Sequence, residues 1–546
     1  MNRTPRCFTK EARDLLYVSA NTKISAITSW YLAVIVFVFP FFATDQYFRI
    51  LRDRTLFFVV ATAFMTLFMG AIYVKLLTTL LWECIQEGGG PCTLLQVLKA
   101  DQKLKMPRLT MADRGLLCFL CIMALSTICS EYPVQAFWGG AGRYQGLCMW
   151  LLYGITYVCV SRYWKPDMRL IYVFLAGGVA SALWGIANYL GLDPFCWHEF
   201  IKEEQRGIFV SSYGNINTYT AAMSIFMAIA GSLYMMEPKG NQTEASVRLR
   251  NPWYLVSFFL LCVALITGRS DNAALAILAF FVIVPFFTWN SGRDVHRYSH
   301  LCAGFLCAMA MSAYLSEITE NPYINASDGI LLKLCNNNFV MMALCLFGVL
   351  WVMVTAILAK KKETYKVKTW WAFILILGIS TGILALILFR EHPLLTNSPI
   401  GPFLQFSDSW GSHRGYIWRA AIEEFMKGSL KNMTIGTGPE TFGLIIRELR
   451  YDEMKAITGQ IFDSPHNEGL QYLFTTGVLG FVAYCGFIFG SCVLALKHRM
   501  GNPVVIPAAV AVFVYTVVSV VNISVPMTQV YMILLLAMIN HTQKSF

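Results

Sequence analysis

Charge is what this chain has least of. Asp, Glu, Lys and Arg supply 14% of its 546 residues, against 56% hydrophobic residues that include 39 Phe and 14 Trp. Apolar runs of roughly 20 residues recur from end to end, which excludes an ordinary water-soluble enzyme and points to a polytopic membrane protein. Low-complexity tracts, internal repeats and domain linkers are also missing, so residues 1–546 read as one integral membrane domain. No Cys/His spacing suits zinc. Most of the 16 cysteines, among them Cys118, Cys121, Cys159, Cys262, Cys345 and Cys485, lie inside apolar runs. A thiol there serves as a small hydrophobe, which argues against a disulfide framework. The net charge of +11 sits in short clusters between apolar runs, a topology signal rather than a nucleic-acid footprint.

What is present is an all-α pattern of about fourteen spans. The first follows the basic segment Arg3–Lys23, ends near Ala43 and is too long for a cleaved signal core. The others are expected near 55–76, 113–130, 147–161, 169–190, 218–236, 253–268, 273–289, 299–317, 339–359, 370–389, 468–495, 503–521 and 525–540. Alternation puts the N-terminus and most basic loops on one side, including Lys360–Lys368, and the positive-inside rule makes that side cytoplasmic. One loop dissents, 44–54, with Arg49, Arg52 and Arg54 on the other side. The long polar loop 391–466 is then extracytoplasmic.

That loop, with the start of the span after it, is the most informative stretch. Trp418, Ala421, Ile422, Phe425 and Met426 recur at helical spacing opposite Arg419, Glu423, Glu424 and Lys427, which predicts an amphipathic helix over 415–427 ended by Gly428. Gly436-Thr437-Gly438-Pro439 is a turn able to bring backbone N–H groups to an anion. Asp463-Ser464-Pro465-His466 reads as a helix start, with Ser464 at the N-cap, Pro465 at N1 and His466 at N2. A helix N-terminus disfavours imidazolium, so His466 is expected to be neutral near pH 7 and able to accept a proton. Three further segments fall on the same side: Gly142–Gly146 with Arg143, Glu203–Asn217 with Arg206, and Gly268–Asp271 with Arg269. Four arginines (143, 206, 269, 414) thus stand at span ends where the topology rule gives no reason for them. Snorkelling to lipid phosphate explains each singly. Their gathering beside one histidine favours a shared anionic ligand.

Arg414-x3-Trp418, the Gly436-x-Gly438 turn, and His466-Asn467 followed by Leu470, Gly477 and Gly480 resemble the signature region of the bacterial O-antigen ligase and polymerase superfamily. The likeness extends over about residues 140–490. It implies a membrane glycosyltransferase in the bacterial cytoplasmic (inner) membrane, with its site on the extracytoplasmic face. Its donor would be a lipid-diphosphate-linked glycan, and its acceptor a hydroxyl of glycan, lipid or protein. It implies catalytic roles for His466 and Arg414 and substrate-binding roles for Arg206, Arg143, Arg269, Asn467 and Trp418. The segment Asn215-Ile216-Asn217 departs from the superfamily, which usually has proline at its middle position.

The chemistry is consistent with those roles. Guanidinium groups are always charged and bind phosphate oxygens in pairs, so they can neutralise a diphosphate leaving group. The expected outer loops hold no Asp-x-Asp pair for a divalent cation, and neither metal nor other cofactor is expected. A single base, His466, would favour direct attack and inversion at the anomeric carbon. A transporter is the competing class, but the expected spans carry almost no charge at their centres, where transporters place theirs.

Overall fold

The computed structural model describes residues 10–86, 90–91, 109–140, 142–236, 252–324, 329–359, 367–389, 406–498 and 504–541. The lysines at 360–366 and the first part of the long loop, 391–405, lie outside the described residues.

Apolar sequence without interior breakers folds as helix, and a helix stands at every one of the fourteen expected runs. Among the described residues, eight helices are long and apolar enough to cross a membrane, and five shorter apolar helices accompany them. The architecture is therefore an all-α, multi-span bundle. Among the described residues the one sheet is a minimal antiparallel hairpin, Phe209–Val210 against Gly214–Asn215. Helix Ile216–Met235 is the axis, 89% buried over its apolar window, whereas Asn338–Ile357 is only 11% buried and turns its Phe, Leu and Met side chains outward. Val505–Ser519 and Pro526–Ile539 pack beside the axis and are buried along most of their length.

The hairpin explains the departure at Ile216. Asn215 caps the axial helix by accepting the Asn217 N–H at 2.8 Å, and Ile216 N–H donates to the Ile208 carbonyl at 3.1 Å. A proline at 216 could not make that closing bond.

Of the dissenting arginines, Arg52 and Arg54 lie on a helix and not in a loop, whereas Arg49 stands just before it and pairs with Asp45. The second helix begins at Ile50, earlier than expected, and runs to Gln86. Arg54 is fully buried and donates to the carbonyls of Phe42 (3.3 Å), Pro40 (2.6 Å) and Ser212, and to the Met527 sulfur (3.1 Å). It stabilises a junction between segments and was misread as a topology charge.

Helix Glu468–His498 is broken at Gly477 (φ 67°, ψ −177°). A break leaves carbonyls without intrahelical donors, and in a membrane protein other groups must supply them. Ser126 Oγ donates to the Thr475 carbonyl at 2.9 Å, and Gly438 N–H donates to the same oxygen at 3.0 Å. Thr437 N–H reaches Phe474 O at 3.4 Å. The Gly436–Gly438 turn is thus a plug for the broken helix, and its amides are not free to bind an anion as the sequence suggested. Gly436 (φ 82°) and Gly477 allow the two backbones to touch, since a Cβ on either would overlap the other strand.

Gly436→Ala should therefore lower stability by about 1–3 kcal/mol, the usual cost of a side chain in such a backbone region. Thermal unfolding in detergent checks this, with Gly378→Ala, which meets no neighbour within 4 Å, as the unaffected control.

Candidate functional site

Arg414 and Trp418 stand on helix Trp410–Lys427, which begins irregularly. Gly411, Ser412 and His413 have φ of 59°, 57° and 68°, a left-handed turn that precedes the right-handed helix. Gly415 then tucks beneath the Ser407 carbonyl, where any Cβ would collide. The helix ends at Gly428, as expected. Its buried face differs from the expected one. Tyr416, Ile417, Ala420 and Ala421 are buried, Trp418 and Phe425 partly so, and Ile422 and Met426 are exposed. The reason is tertiary: Phe442, Ile446, Met454, Phe462 and Phe474 cover this face. The polar side is tied down by Arg450, which is within 2.7 Å of Glu423, 2.6 Å of Glu424 and 3.2 Å of Glu453.

His466 does not sit in the first turn of the next helix. That helix starts at Glu468, and Asn467 caps it by accepting the Leu470 N–H at 3.0 Å. His466 lies before the cap with φ 50°, its own N–H donating to Ser464 Oγ at 3.2 Å. The Ser-Pro pair misled because the Ser464 hydroxyl closes a local turn and starts no helix. Trp418 Nε1–H donates to the Pro465 carbonyl at 2.8 Å and so holds the peptide that leads into the histidine. The imidazole rests edge-on against Phe462, with centroids 5.6 Å apart, and makes no hydrogen bond among the described residues. Burial, then the charges of Arg414 and Arg143, push its pKa down to about 4, against the opposing pull of Asp463. The ring is thus neutral near pH 7 as expected, for reasons other than a helix dipole.

Two of the four arginines approach this ring. Arg414 has a buried Nε without a hydrogen-bond partner among the described residues. Burial works against its charge, and Asp271 opposes that effect. Arg143 is 9% exposed and grips Asp463 with two N–H groups, Nε to Oδ2 at 3.2 Å and Nη2 to Oδ1. Behind it, burial pushes the Glu440 carboxyl up to about 7, with Arg143 opposing and Asp463 adding to the rise. Arg143, Glu440 and Asn467 line one narrow cleft that continues to Glu468.

The other two arginines form a separate group. Arg206 donates to Ile201 O (3.0 Å), Tyr323 Oη (2.7 Å) and Glu199 O (3.4 Å), and lies over the Tyr323 ring at 4.8 Å. Arg269, at φ 58°, donates to the Gly207 carbonyl. Both line a second cavity of about 200 Å³ with Asn188, His198 and Tyr323. The groups adjoin through Asp271, two residues beyond Arg269 and in the electrostatic range of Arg414. Asp463 and Glu440 were not singled out as site residues from sequence. Asp463 was read as part of a helix start, and nothing in the spacing pointed to Glu440.

Two guanidiniums thus bear by their charge on an imidazole that is neutral near pH 7. Residues 334–485 match the family described as O-antigen ligase, which places that segment in the O-antigen ligase superfamily. The match spans about a quarter of the chain and includes Arg414, Trp418, Glu440, Asp463, His466 and Asn467, but not Arg143, Arg206 or Arg269. No curated protein matches the chain.

His466 has a folded value below the ordinary 6.5, so the stability tied to its neutral ring is complete above about pH 6.5 and is lost as pH falls towards 4. Removing one neighbouring cation with Arg414→Gln should raise its titration midpoint. Histidine side-chain NMR over that range checks both the starting value and the direction.

Proposed function

We propose that this chain, a membrane protein carrying an O-antigen ligase superfamily segment, is an inverting glycosyltransferase. It moves a glycan from an undecaprenyl-diphosphate-linked donor to an acceptor hydroxyl at the outer face of the cytoplasmic membrane. The observation that carries the reading is the pair of enclosed guanidiniums, Arg143 held by Asp463 and Arg414 with a buried Nε lacking a partner among the described residues, whose charges both bear on His466. In this reading the arginines bind the diphosphate and meet the charge that grows on it as the glycosidic C–O bond breaks. His466 takes the proton of the attacking hydroxyl. With His466 as the single base, direct attack by the hydroxyl gives inversion. Arg206 and Arg269, in the adjoining cavity, contact more distant parts of the glycan. Trp418 and Asn467 act through the loop they fix, one by holding Pro465 and the other by starting the next helix. Ligase, repeat-unit polymerase and protein oligosaccharyltransferase chemistry would use this site alike and differ only in the acceptor.

Kinetics on purified protein with a lipid-linked donor separate the roles. His466→Ala should leave donor affinity nearly intact and lower the single-turnover rate by roughly 10²–10⁴-fold, the usual worth of a positioned base. Arg414→Ala should weaken donor binding and slow turnover, and Arg414→Lys should restore part of both, since an ammonium keeps charge without the two-pronged geometry. Turnover should persist in excess EDTA. Near-normal turnover by folded His466→Ala would remove the histidine from the mechanism.

The sidedness is tested by labelling. Cysteines introduced at positions 361 and 455 of a cysteine-depleted variant should react from opposite sides of the membrane. Reaction of both from one side would contradict the proposed orientation.

A further inference from the structure

We propose that Asp463 occupies the phosphate-binding face of Arg143 in the free protein, and that the donor diphosphate displaces it so that its carboxylate turns to His466. The inference rests on the glycosyltransferase reading above and assigns Asp463 as a positioning residue within it.

The geometry carries the argument. A bidentate carboxylate takes the same two N–H groups of a guanidinium that a phosphate would take. In the Arg143–Asp463 pair the arginine side chain is 11% exposed and the aspartate 60% exposed, so the carboxylate sits on the open side of an otherwise enclosed guanidinium. A phosphate arriving from that side meets Asp463 first. The Asp463 backbone is fixed, because its Cα and carbonyl lie against Gly443, where a Cβ would come within 2.8 and 2.7 Å of them. Release is therefore a side-chain rotation and not a loop movement. The carboxylate has a second partner nearby: His466 is three residues on, across a turn closed by Ser464 and held by Trp418.

The charges around the ring make the exchange productive. Those facing His466 are Arg414 from its helix, Arg143 from the segment before helix Leu147–Tyr163, and Asp463 from its own loop. Glu440 faces Arg143 and Asp463 from the neighbouring turn, and Asp271 faces Arg414. In the free protein both cations oppose protonation of the ring, which makes it a weak base. Bound diphosphate neutralises them, and a freed Asp463 carboxylate stabilises the imidazolium. In the transfer step the acceptor O–H proton passes to the imidazole while the oxygen lone pair forms the bond to the anomeric carbon. The glycosidic C–O bond breaks, and its electron pair leaves with the diphosphate. Base strength thus rises only when donor is present, which protects against idle proton uptake in its absence.

The test uses the full-length protein and a sugar-free prenyl diphosphate as probe. Asp463→Asn, which keeps the shape and loses the charge, should bind the probe several-fold tighter, roughly 3–10-fold, because the competitor is gone. Its turnover with the lipid-linked glycan should fall by roughly 10–100-fold, and the acid limb of its kcat profile should move to lower pH than in the wild type. Asp463→Glu should recover part of the rate. A purely structural ion pair predicts weaker or unchanged probe binding in Asp463→Asn, and that result overturns the proposal. A measurement on the wild type alone stands if the variant folds poorly: saturating probe should raise the His466 titration midpoint by about one unit or more. A midpoint that stays put with probe bound also overturns it. Wild-type protein that neither binds probe nor transfers glycan would instead remove the glycosyltransferase reading, and this inference with it.

Discussion

An interrupted helix inside a membrane bundle must have its freed carbonyls met, and here that demand organises the site. The break at Gly477 exposes the carbonyls of Phe474 and Thr475, and the Thr437 and Gly438 amides answer them, with Ser126 as a third donor. That contact fixes the polar segment to the bundle at one end. His466 stands at the other end of the short helical piece, so its height above the bundle is set by the same bonds. Trp418 adds a lateral tie through Pro465. The loop is thus fastened to backbone at two points, in addition to the small core it packs around Tyr416, Ile417, Phe442 and Phe462.

The electrostatics follow from enclosure. Arg143, Arg414 and His466 are all drawn out of water, and the carboxylates of Asp463, Glu440 and Asp271 stand around them at differing depths. An enclosed cation without a close counter-charge is costly. Arg143 meets that cost through Asp463, while Arg414 has an unbonded Nε and only a distant carboxylate. The two arginines are therefore in different states: Arg143 is paired, and Arg414 has a buried Nε without a partner among the described residues.

How much of this was legible in the sequence depends on the range of the interaction that decides each feature. The helices were legible, because a 20-residue apolar run has few alternatives and each run decides for itself. Boundaries were less so. Helix Ile50–Gln86 begins early because the buried Arg54 is held by carbonyls from distant segments, which local composition cannot reveal. The face of the loop helix was misjudged for the same kind of reason: its covering residues Phe442, Ile446 and Phe474 come from later in the chain. The candidates His466, Arg414 and Arg143 were read as one group, but Arg206 and Arg269 were counted in it as well. Four arginines at span ends look equivalent in one dimension. Only folding separates Arg206 and Arg269, already bonded to carbonyls and a tyrosine, from the pair beside the histidine. Asp463 escaped notice as a site residue because its importance lies in what it holds, 320 residues away.

Arg54 bears on how the chain is made. Its acceptors come from residues 40, 42, 212 and 527, so the guanidinium emerges from the ribosome long before the last of them exists. Until the sulfur of Met527 and the Ser212 carbonyl arrive, the early hairpin must keep this charge near water or lipid headgroups. The N-terminal helices thus cannot settle as each is inserted; their final seating is deferred to the end of synthesis. A ribosome-bound intermediate lacking the last helix should therefore have a more loosely docked amino terminus.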